Sequence, residues 1–142
     1  MEGIVAYNSV INPEYRIFVV YSDSDEHQSI KNVLRTTNNS IGALWVGTKN
    51  IFIDGEKLAE LNIDQDQLLA IEAHEIAHSL LGHKSGVDEQ SEKEADLLAI
   101  ALLEMDAHIR AASFLKVRMK DLYGIDYTDL LKEFDELNYN SN

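Results

Sequence analysis

Hydrophobic and polar positions divide the chain into a strand-like first part and a helical second part. Residues 15–21 (Tyr-Arg-Ile-Phe-Val-Val-Tyr) are nearly unbroken in apolarity and rich in β-branched and aromatic side chains, the pattern of a strand covered on both faces. Pro13 stands just before this run, at a strand-edge position. Ile30, Val33 and Leu34 then repeat at i, i+3 and i+4 behind Asp23 and Glu26, which have capping-box spacing. Residues 24–36 are therefore predicted as an amphipathic helix. Two short apolar runs, 41–46 and 51–54, flank Gly47-Thr48-Lys49-Asn50, whose composition suits a hairpin turn.

From Gly55 onward the spacing turns helical, beginning with a short segment over 56–61. Asp64 and Gln67 have capping-box spacing and Gly82 supplies a C-terminal stop, so a helix is predicted over about 65–81. Further helices are predicted over 88–105 and 106–123, the latter ended by Gly124, and a last acidic one over 128–137 before a polar tail. Strands early and helices late predict one α+β domain over 1–142, with a sheet half to about 63 and a helical half from 64.

The 45% apolar content can fill a core, whereas 25 acidic against 12 basic residues leave a net charge of −13. That sign argues against nucleic acid and anionic membranes as partners, since both attract clustered Lys and Arg. The N-terminus lacks a basic segment followed by an apolar stretch, and no window approaches the ~18 apolar residues of a membrane span, so a cytoplasmic protein is expected. With no cysteine, thiol chemistry and zinc ribbons are excluded. Any metal site must use His, Asp and Glu.

Such residues concentrate in 70–83, which contains His74-Glu75-Ile76-Ala77-His78. Helical residues four apart project in one direction, so His74 and His78 can share one ion. Glu75 lies beside that face, placed to take a proton from water and not to ligate. Zinc held by three protein groups keeps a position open for water and makes hydroxide available at neutral pH. Leu69, Ala73, Ile76 and Leu80 form an opposite, apolar face on which the helix is expected to pack. A third ligand is sought in Glu92-Lys93-Glu94-Ala95-Asp96, which opens the next helix after a short connection containing Gly86. Glu92 and Asp96 share a face, so one carboxylate can bind zinc while the other accepts the free ring N–H of a ligating histidine.

H-E-x-x-H followed by a helix with Glu-x-x-Ala-Asp resembles the gluzincin metallopeptidases, and most of all the small zincins of the ImmA/IrrE kind from bacteria and phages. The resemblance implies a Zn²⁺ site of His74, His78 and Glu92, with Asp96 supporting a histidine and Glu94 as the alternative ligand. It also implies a minimal zincin-like layout: a small twisted mixed sheet, a backing helix, an active-site helix and further C-terminal helices. In such folds a strand at the sheet edge above the cleft takes up an extended peptide, here either 41–46 or 51–54. A third histidine in the metzincin manner is not matched, because position 84 is Lys84 and His83 comes one residue early.

The expected activity is hydrolysis of peptide bonds in a polypeptide substrate, with Glu75 as general base. The rival readings are a zinc-stapled interaction protein whose closed site adds His83, and a hydrolase of a non-peptide amide. His83 is otherwise expected to cap the end of its helix as a cation near the last carbonyls. His108, Tyr123 and Tyr127 are candidates for stabilising the transition state. Trp45 is expected in the core, with a substrate-pocket role as the alternative, and His27 carries no assigned function.

Overall fold

The structure, a computed structural model, describes residues 3–21, 30, 32, 41–83 and 88–140, without the side chains of 134–140. Its elements are β1 (Gly3–Asn8), β2 (Arg16–Tyr21), β3 (Gly42–Leu44), β4 (Asn50–Asp54), α1 (Gly55–Glu60), α2 (Gln65–Leu80), α3 (Glu89–Met105), α4 (Ile109–Tyr123) and α5 (Tyr127–Asn140). This is the α+β class that the strand-then-helix pattern predicts. Of the helix predicted over 24–36, only Ile30 and Asn32 are described, both helical; the rest lies outside the described residues, as do His27 and Gly86.

The sheet is mixed, in the order β1-β2-β4-β3. β2 and β4 are parallel and central, and β1 and β3 are antiparallel edges. The near-continuous apolarity of residues 15–21 fits this inner position, with Ile17, Val19 and Val20 all buried. β1 was not predicted, and its burial explains why: an edge strand with mostly exposed residues carries little apolar periodicity of its own. Pairing with β2 defines it, Ala6 standing opposite Phe18, after a turn closed by Ser9 N–H donating to Tyr15 O at 2.9 Å.

Two apolar clusters meet at α2. Ile17, Val19, Ile51 and Ile53 of the sheet pack with Ile76. On the other side, Ala73 and Ala77 join Ala95, Ala99, Ile100 and Leu103 of α3 and Ala111, Leu115 and Met119 of α4. Small side chains at these crossings let three helices approach closely. α2 is thus enclosed on most of its circumference, and Glu72, His74 and His78 are buried alongside its apolar residues. This corrects the expected two-sided helix: Leu80, assigned to the packing face, is 51% exposed, because the helix lies between two layers and its last turn runs beyond them.

The predicted boundaries shift where the chain reverses. α3 ends at Met105, Ala107 adopts φ 62°, and α4 starts at Ile109 instead of 106. Asp64 and Gln67 do form the capping box of α2, and Gly124 ends α4 in the left-handed conformation with φ 70°. Among the described residues no helix is long and apolar enough to cross a membrane.

Candidate metal centre

α2 places His74 and His78 one turn apart, with their Nε2 atoms 3.0 Å from each other. α3 packs against α2 and brings Glu92 onto both rings, Oε2 lying 2.9 Å from His74 Nε2 and Oε1 3.3 Å from His78 Nε2. These three residues form a group able to hold a metal ion. Four tetrahedral ligands at ~2.0–2.1 Å from zinc stand about 3.3 Å apart, close to the separations seen here.

The hydrogen bonds behind the rings sharpen this point. His74 Nδ1 lies 2.8 Å from Oδ1 of the fully buried Asp96; a carboxylate can only accept, so the ring donates Nδ1–H. In the neutral ring Nε2 is then a bare lone pair, facing a carboxylate oxygen of Glu92 at 2.9 Å and His78 Nε2 at 3.0 Å. Such a cluster of acceptors needs a cation or extra protons at its centre. Burial lowers the pKa of His74, but its bonds to Asp96 and Glu92 outweigh this and raise it to about 9. Bonds from His74 and His78 hold Glu92 far below the ordinary carboxylate range. The donor set therefore suits a divalent cation.

Glu75 projects beside this group towards β3. In the β3–β4 ladder Trp45 N–H donates to Asn50 O and Asp54 N–H to Ile41 O, so the amides of Gly42 and Leu44 point away from β4, to the side where β3 has no strand partner among the described residues. The Leu44 N–H is hydrogen-bonded to Glu75. Burial raises the pKa of Glu75 and Glu92 adds to this, while His74, His78 and the Leu44 amide oppose it. The topology also separates the two candidate strands: β3 is the edge and β4 lies inside the sheet.

His74, Glu75 and Glu92 open into a cleft of about 500 Å³. α2 forms its floor, Ile41 and Gly42 one wall, and Phe114, Leu115 and Arg118 of α4 the other. Gly42 permits the close approach of β3 to α2, since a Cβ there would lie 3.0 Å from Ile71 Cγ2.

The remaining candidates fall elsewhere. The ring of His83 meets His78 Nδ1 at 2.9 Å, behind the ring and away from Glu92, so it joins neither the metal group nor the helix-terminal carbonyls. Glu94, the alternative ligand, reaches His83 Nε2 at 3.4 Å instead. His108 precedes α4 and does not line the cleft, and neither do Tyr123 and Tyr127. Burial and the nearby Asp96 push the Tyr123 hydroxyl up to about 12. Trp45 is 59% exposed and tilts against Phe52, which overturns the core expectation, because it sits where the edge strand runs out into the turn.

Two polar residues went unnoticed in the sequence. Arg118 lines the cleft and lies 3.8 Å from Asp96 Oδ1; nothing in its helical spacing marks it. Glu72 is fully buried and accepts from Tyr7 at 2.8 Å and Ser9 at 3.0 Å, tying β1 to α2. A carboxylate amid the apolar residues of a predicted helix was its only signal. In comparisons with known proteins, no family model, curated protein or solved structure matches this chain.

Proposed function

We propose that this protein is a zinc-dependent peptidase of gluzincin type. The observation that carries the reading is the convergence of His74, His78 and Glu92 beside a cleft, with Glu75 between them and β3, an edge strand among the described residues. Bound there, zinc would supply positive charge to polarise a carbonyl group and to acidify water. His74, His78 and Glu92 hold the ion, and Glu75 accepts the proton that water gives up. The Gly42 amide of β3, which points away from β4, donates to an extended polypeptide laid along the cleft. Ile71, Phe114 and Leu115 receive an apolar side chain, and Arg118 offers hydrogen bonds to the substrate's carbonyl oxygens.

The order H-E-x-x-H then Glu-x-x-Ala-Asp supports the gluzincin assignment. A closed structural site needs a fourth protein ligand, and His83 faces away from the group. The test is digestion of an unbiased peptide library by the zinc-loaded protein, with products read by mass spectrometry. Cleavage should stop on chelation and return with zinc. Stoichiometric zinc without any cleavage would replace this reading with that of a zinc-stapled protein.

A further inference from the structure

We infer that His83 and Glu94 form the positioning pair for His78, the counterpart of Asp96 behind His74; this rests on the zinc-site reading above. Both ligand histidines turn Nε2 towards Glu92, which leaves their Nδ1 atoms facing outward. His74 Nδ1 meets a carboxylate directly. His78 Nδ1 meets His83 Nδ1 at 2.9 Å, and the other nitrogen of that ring, Nε2, lies 3.4 Å from Glu94 Oε1.

Only one arrangement of two protons satisfies this chain of contacts. A ring that gives its Nε2 lone pair to a cation carries its proton on Nδ1. That proton donates to His83 Nδ1, which must be bare. The proton of His83 then sits on Nε2, the nitrogen that lies 3.4 Å from the Glu94 carboxylate. The series His78, His83, Glu94 thus runs from the metal position to a carboxylate through one intervening ring.

The backbone is built to hold it. Gly82 follows α2 with φ 72°, a conformation open to glycine, and turns the chain back over the last turn of the helix. His83 N–H consequently donates to His78 O at 3.0 Å, so His83 is fastened to His78 by backbone and ring together. α3 supplies the other end: Glu92 faces the ion position, while Glu94, two residues on, faces His83. Groups that hydrogen-bond a ligating histidine orient it and fix its tautomer, and their loss typically weakens metal binding about 10- to 100-fold.

The experiment uses the full chain with zinc bound and ¹⁵N-labelled histidine, with tautomers read from long-range ¹H–¹⁵N correlations. His78 should carry its proton on Nδ1 and His83 on Nε2 alone. A proton on Nδ1 of His83 overturns the proposal. Chelator competition then compares zinc affinity in wild type, His83→Leu, His83→Gln and Glu94→Gln. His83→Leu should weaken binding about 10- to 100-fold, and His83→Gln, whose amide both accepts and donates, should restore most of it. Unchanged affinity in His83→Leu overturns the proposal while leaving the zinc site standing. Absence of zinc binding in the wild type removes the zinc-site reading itself. If His83→Leu does not fold, the tautomers of the native chain decide.

Discussion

The Oδ1 atom of Asp96 stands 2.8 Å from Nδ1 of His74, so a fully buried carboxylate backs the ring whose opposite nitrogen faces Glu92. Asp96→Asn keeps the size of the side chain and removes its charge. Zinc affinity, measured by competition with a chelator, should fall about 10- to 100-fold. Equal affinity would show that Asp96 only packs.

Glu75 is hydrogen-bonded to the Leu44 amide and is not one of the three donors, so metal binding and turnover should separate at this residue. Glu75→Gln should keep one zinc per chain by elemental analysis and lose about 10²- to 10⁴-fold in peptide cleavage. A fully active variant would sink the proposed chemistry.

The acceptors clustered around Nε2 of His74 predict that the ion stabilises the fold. At free zinc about 1,000 times the dissociation constant, the stabilisation is about 4 kcal/mol. Thermal unfolding should therefore shift upward with added zinc and back with chelator. His78→Ala should abolish the shift, and a shift that survives in that variant would place the ion elsewhere.

Burial raises the pKa of Glu72, and the hydroxyls of Tyr7 and Ser9 partly counter this by donating to its ionised form. Because the net folded-state shift is upward, the contribution of Glu72 is fully present below the ordinary carboxylate pKa and is lost as pH rises through the raised value. Tyr7→Phe removes one of the bonds that limit this loss. Denaturant unfolding should show the variant about 1–2 kcal/mol less stable at neutral pH, with a smaller deficit in acid where Glu72 is protonated. A deficit independent of pH would mean that the Tyr7 ring, and not its hydroxyl, matters.

The legible parts of the site are those set within one turn of helix. His74 and His78 stand together because of a four-residue spacing, and the caps at Asp64 and Gly124 involve near neighbours. Glu92 and Asp96 were legible as a pair sharing one helix face. Which atoms they meet depends on how α3 packs on α2, and that contact spans 18 residues from His74 to Glu92 and 22 from His74 to Asp96.

Other features had no local signature. Val20 in β2 is buried while Val5 in β1 is exposed, though both sit in apolar runs, because one strand is central and the other is an edge. Trp45 is exposed for the same reason of place. His83 looked like a helix-terminal cation, yet its ring bonds His78 and faces Glu94, which comes from another helix.

The sequence by itself determined the α+β class, the helix that carries two histidines on one face, the acid beside them and the exclusion of thiolate ligands. These follow from periodicity, capping and composition, all of which act over a few residues. The tertiary structure alone decided that β3 is an edge of the described sheet, that Arg118 joins the cleft, that Glu72 is buried under β1, and that His83 and Glu94 stand behind His78. Each of these requires segments distant in the chain to meet. Burial against a shared core brings them together, and that pairing is written in no single stretch of residues.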